Sequence, residues 1–97
     1  MKVILNQVIE LENFREGYAR ITKTFESNVI PHKGDIIVDS VWKADDEQVV
    51  ESVSINYHDN ECHVDLPKVV LPSNDKAVLD EYLEMTELHG WESPIKI

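Results

Sequence analysis

Apolar and polar residues alternate along most of the first 71 positions, which is the period of half-buried β-strands. Residues 2–11 put Val3, Leu5, Ile9 and Leu11 on one parity. Residues 17–26 put Ala19, Ile21 and Phe25 on one face, after a turn at Glu16-Gly17. A loop with Pro31 and Gly34 covers 27–34, and the pattern predicts a strand over 35–42 with Ile36, Val38 and Trp42 on one side. An acidic turn follows at 43–47. Residues 48–57 then alternate, with Val53, Ile55 and Tyr57 apolar, and residues 62–71 alternate again, with Cys62, Val64 and Leu66 apolar. Pro67 has no N–H to donate, so its strand bends there or lies at an edge.

The period changes to that of a helix over 74–89. Ser73 is the expected N-cap, Asp75 suits the first turn, and Gly90 suits the stop. Val78, Leu79, Tyr82, Leu83 and Met85 fall on one arc, with Asp80, Glu84 and Glu87 opposite. Strands followed by one helix predict an α+β fold. Five strands in so short a span predict a small, strongly bent antiparallel sheet, an SH3-like half-barrel, with one C-terminal amphipathic helix.

The chain has 97 residues, enough for a single domain over 1–97. It shows no internal repeat or low-complexity tract. Its one cysteine, Cys62, forms no internal disulfide. The N-terminus turns polar at Asn6-Gln7, too soon for a secretory apolar stretch, so the sequence predicts a cytoplasmic protein with a reduced thiol.

Charge changes the picture more. Residues 1–43 hold six basic and six acidic residues, while 44–97 hold three basic and thirteen acidic ones. The whole net charge of -10 therefore lies in the second part. Such a chain does not bind nucleic acid through its phosphates, nor an anionic membrane. The excess concentrates in a loop, Asp45, Asp46 and Glu47, and on the outer helix face, Asp80, Glu84 and Glu87. Carboxylates so arranged present charge much as a phosphate backbone does. Their natural partner is the basic, nucleic-acid-binding groove of another protein, met by fast, salt-sensitive association. The competing reading is that these acids serve solubility.

Residues 57–63 read Tyr-His-Asp-Asn-Glu-Cys-His, with Asp59-Asn60 as a turn dipeptide. If Val53, Ile55 and Tyr57 share a face with Cys62, Val64 and Leu66, the connecting loop is even. Tyr57 then opposes Cys62, Asn56 opposes His63, and Ser54 opposes Asp65. His58 and His63 become diagonal neighbours able to hold one metal ion, zinc, with Glu61 or Asp65 adding a carboxylate. Cys62 points to the core. An odd loop would instead set His58 beside Cys62, the alternative zinc site. A small structural or regulatory zinc domain is thus the alternative function. His89 is expected to cap or pack at the helix end, and Trp42 and Trp91 to lie in the core.

Other chemistry lacks its residues. The three glycines are isolated, so there is no phosphate loop, and there is no nucleophile elbow. Cys62 and His63 are adjacent in a strand and point to opposite faces, so they form no dyad. The chain predicts no enzyme.

Three stretches carry a resemblance: Lys33-Gly34-Asp35-Ile36 to Ser40-Val41-Trp42, Ile55-Asn56-Tyr57 through Asn60 to Cys62, and Glu81-Tyr82-Leu83-Glu84-Met85 to His89-Gly90-Trp91. Together they resemble small acidic proteins encoded by Firmicute genomes and their phages. The resemblance implies a source and a size class and carries over no functional residues. Proteins of that type include inhibitors of host defence, anti-CRISPR proteins among them. The expectation is a non-enzymatic inhibitor that offers its carboxylates to a basic host protein. A homodimer through the strand edge near Pro67 is open to it as well.

Overall fold

The computed structural model of the chain describes residues 1–42 and 47–96. Its frame is a long hairpin. Strand β1 (Lys2–Glu10) pairs antiparallel with β2 (Tyr18–Glu26) along its full length, from Lys2–Glu26 to Glu10–Tyr18. A short 3-10 turn at Phe14–Glu16 joins them, its start held by Asn13 Oδ1, which accepts from the Arg15 N–H at 3.1 Å. Paired residues share a face, so Val3, Leu5 and Ile9 of β1 line up with Ala19 and Ile21 of β2 in the core, as the alternation predicts.

The next predicted strands are interrupted. Residues 35–42 do not form one strand: only β3 (Ile36–Ile37) is extended, paired antiparallel with β4 (Gln48–Val49) in a separate two-stranded sheet. Ile36 and Val38 are both exposed and only Trp42 is half-buried, so the three share no buried face. The predicted strand over 48–57 likewise splits at Val50–Glu51 into β4 and β5 (Ser52–Asn56). Val50 is buried and ties its N–H to the Asp35 carbonyl at 2.8 Å, which anchors the crossing between the two sheets.

β6 (Glu61–Asp65) pairs antiparallel with β5 and parallel with β1. Pro67 then breaks the run, and β7 (Val69–Val70) resumes pairing on the same side of β1 at Ile9 and Glu10. Gln7 sits at the gap. It occupies a core parity yet is buried, because its amide Nε2 donates to the Pro67 carbonyl at 2.8 Å and to Gln48 Oε1 at 2.9 Å. The final strand, β8 (Glu92–Lys96), which the alternation does not predict, pairs antiparallel with β2. The sheet is thus mixed, six-stranded, in the order β5-β6-β1-β2-β8 with β7 also on β1. This corrects the all-antiparallel expectation. Among the described residues the main path of the sheet ends at β5 and β8 and does not close.

Helix α1 (Lys76–Leu88) carries the chain from β7 to β8, two strands that both run parallel to β1, and packs Leu79, Leu83 and Thr86 on the core face. Its N-cap is Asp75, not Ser73: Asp75 Oδ1 accepts from the Ala77 N–H at 2.9 Å, while Ser73 Oγ accepts from Asp75 one step earlier. At the other end Gly90 has φ 88°, and a Schellman pair closes the helix, Gly90 N–H to the Glu87 carbonyl and Trp91 N–H to the Thr86 carbonyl. That turn throws Trp91 back into the core, where it is buried and meets the half-buried Trp42 edge-on at 5.7 Å between centroids.

Candidate functional site

Helix periodicity brings three predicted carboxylates together. Asp80, Glu84 and Glu87 fall at i, i+4 and i+7 on α1 and line one shallow groove of about 410 Å3 with Leu83 and, from β8, Ser93. Every charged residue lining it among the described ones is an acid. Glu84 and Glu87 are exposed and Asp80 is half-buried. Glu47 is exposed just before β4, while Asp45 and Asp46 lie outside the described residues.

The C-terminal end of the helix is tied to β2 and to the 39–42 turn. Lys23, in β2, extends to the helix end and donates to the carbonyl of His89 at 3.0 Å and to Asp39 Oδ1 at 2.6 Å. Asp39 Oδ2 accepts from Trp91 Nε1 at 3.1 Å and from the Val41 N–H at 3.2 Å. Burial pushes the Asp39 carboxyl up, but these hydrogen bonds from Lys23, Trp91 and Val41 outweigh it and hold its pKa below the usual carboxylate value. The His89 ring adds a hydrogen bond at 2.9 Å between Nδ1 and Ser40 Oγ. His89 is therefore the C-cap residue, joined to the 39–42 turn. The sequence signalled the helix, its acids and the two tryptophans, but not Lys23 and Asp39, which look like ordinary surface charges until the fold sets them together.

The histidine hairpin keeps its predicted parity and loses its predicted register. Ile55 opposes Cys62, Ser54 opposes His63 and Ser52 opposes Asp65, a shift of two residues from the expected pairing. The four-residue turn 57–60 takes this form because Asn60 adopts a left-handed φ of 57° and Asn56 holds Asp59, accepting its N–H at 3.1 Å and donating to its carboxylate at 3.0 Å. An even shift leaves every side chain on its face, so Cys62 is buried as expected, and burial pushes its thiol pKa up. The odd-loop register, with His58 beside Cys62, does not occur.

His58 consequently sits in the exposed turn, beyond the last strand pair, and is no diagonal neighbour of His63. His63 Nε2 lies 3.2 Å from Glu61 Oε2. Among the described residues no three His, Cys, Asp or Glu side chains gather where they could hold a metal ion.

A second groove, of about 470 Å3, opens on the solvent face where β6 gives way to β7. Its charges are mixed, Arg20 and Lys68 against Glu51 and Asp65. No helix among the described residues is long and apolar enough to cross a membrane. Comparison with known proteins gives no match to a family model, a curated protein or a solved structure. The functional reading rests on the geometry of the helix groove.

Proposed function

We propose that the protein is a non-enzymatic, cytoplasmic binding protein that offers the α1 groove to the basic, nucleic-acid-binding surface of another protein, as a phage or mobile-element inhibitor of a host protein would. One observation carries this reading. Glu84 and Glu87 sit where each harms the helix that holds them. Like charges three or four residues apart on a helix repel, at about 0.2–0.5 kcal/mol per pair. Glu87 also lies in the last turn, where the helix dipole disfavours an anion by about 0.3–1 kcal/mol. Glu84 and Glu87 form no ion pair among the described residues, and the last turn holds no basic residue to offset them. Acids wanted only for solubility sit as well at many places that cost the helix nothing. In the sequence, Asp45, Asp46 and Glu47 add to the same acidic character.

The partner is recognised by competition. A tagged chain captures from bacterial lysate, at low salt, a protein that releases at high salt and whose binding to nucleic acid it blocks. The E84K/E87K variant should raise helix stability by a few tenths of a kcal/mol through relief of the dipole and of like-charge repulsion. It should lose the partner at the same time. Unchanged capture by that folded variant rules the reading out.

A further inference from the structure

Pro67 separates β6 from β7 along the same side of β1, and the groove of about 470 Å3 opens at that gap. Its lining comes from several strands of the main sheet. Arg20 of β2 stands opposite Val8 of β1, and Asp65 of β6 stands opposite both Asn6 of β1 and Ser52 of β5. The charges fall on two walls. Arg20 holds the β2 side, while Asp65 and Glu51, just before β5, hold the other. Apolar surface joins the walls: Val8 is 37% exposed, and Leu66 lines the gap after β6.

These charges are not equally free to meet a ligand. Lys68 Nζ lies 3.1 Å from Glu10 Oε1, so its charge is met within the chain. Ser52 Oγ donates to Asp65 Oδ2 at 2.7 Å, which leaves Oδ1 of that carboxylate to accept elsewhere. Arg20 and Glu51 form no ion pair among the described residues. Gln7 also lines the groove and is 1% exposed. Its Nε2 is engaged by Gln48 and Pro67, and its Oε1 has no hydrogen-bond partner among the described residues. A buried amide oxygen without a donor is uncommon, and beside this gap it calls for an N–H from outside the chain.

We infer that this groove binds the zwitterion of a free apolar α-amino acid. The carboxylate meets the Arg20 guanidinium, the ammonium meets Glu51 and Asp65 with one N–H toward Gln7 Oε1, and the side chain lies on Val8 and Leu66. Charge selects this ligand over simpler ones. A phosphate or a lone carboxylate meets a chain of net charge -10 and a groove whose one free cation faces two acids. A lone amine leaves Arg20 unpaired. The zwitterion has no net charge and pairs both walls. Size selects it over a peptide. Asp65 and Arg20 stand two strands apart, about 10 Å between backbones at roughly 4.8 Å per spacing, and both side chains reach into that span. The room left suits charges separated by one α-carbon rather than by further peptide units. No residue lining this groove lines the α1 groove, so the two readings stand or fall separately.

The test is an NMR titration of the intact protein with L-leucine, to about 10 mM, where a millimolar complex is mostly formed. The backbone amide signals of Val8, Arg20 and Leu66 should move along one saturating curve. Isocaproate and isoamylamine keep the leucine side chain and lose the ammonium and the carboxylate respectively. Each should bind at least about tenfold more weakly than leucine, since each leaves one charged wall without its partner. Arg20→Gln and Glu51→Gln, both at exposed positions, should each raise the Kd for leucine about tenfold. The three ligands on wild type decide the matter even where a variant fails to fold. Signals that stay still at the highest leucine concentration overturn the inference. So do shifts confined to α1, or an equal response to the acid or the amine alone.

Discussion

At its β8 edge the sheet is tied down from three sides. Trp91 is buried against Trp42, Asp39 gathers Lys23, Trp91 and the 39–42 turn, and the Schellman turn at Gly90 fixes the helix that carries the acidic groove. At its β5 edge the sheet is one uncharged strand on a hairpin, with Ser52, Ser54 and Asn56 exposed and only Val53 half-buried. The first end is held by buried side chains and side-chain hydrogen bonds; the second has little packed around it. The contrast shows where stability is concentrated in the sheet.

The largest break in that contrast is Trp91→Ala. It removes a side chain that is 2% exposed, together with its ring contact and its hydrogen bond to Asp39. Urea unfolding should show a loss of about 3–5 kcal/mol.

Asp39→Asn comes next. It leaves the half-buried Lys23 ammonium without its anion and should cost about 1–3 kcal/mol at neutral pH. The Asp39 pKa is lowered in the folded state, so its contribution is fully present above the unfolded value of about 3.9 and is lost as pH falls through the folded value. The stability difference between wild type and Asp39→Asn should therefore hold across neutral pH and close only below about pH 3.9, which denaturant melts at stepped pH would follow. A difference that closes between pH 5 and 7 would point to another group.

Gly90→Ala should cost less, about 1–2 kcal/mol, because φ there is 88° and a side chain pays for the left-handed conformation. The added Cβ would meet the end of the Lys23 side chain, Cε at 3.6 Å and Nζ at 3.8 Å, both ordinary contacts, so strain rather than crowding sets the loss. At the opposite edge, Ser54→Lys, a change at an exposed position, should shift stability by no more than about 0.5 kcal/mol in the same unfolding measurement. An equally large loss at both ends would dissolve the comparison.

Strands β1 and β2 and the body of α1 are legible in the sequence because burial on one face imposes a period that each segment shows alone. The acidic groove is legible for the same reason: Asp80, Glu84 and Glu87 share an arc in any helix spanning them. Lys23 and Asp39 are not legible, since their pairing joins positions 16 apart through a turn whose shape depends on Trp91. Gln7 offered an unread signal. A polar residue at a core parity of β1 marks the place where its neighbouring strand breaks at Pro67.

The hairpin at 57–60 draws the line most sharply. Alternation alone determined that Cys62 faces inward with Val53 and Val64, because only an odd shift would turn the strand over. Alternation could not choose between registers two residues apart, since both bury the same side chains. Asn56 and Asn60 made that choice through the geometry of the turn, and with it separated His58 from His63. The parallel pairing of β6 and β7 with β1 was also decided only in three dimensions. A strand shows the same hydrophobic pattern whichever way its neighbour runs, and the direction follows from how the chain returns across the sheet.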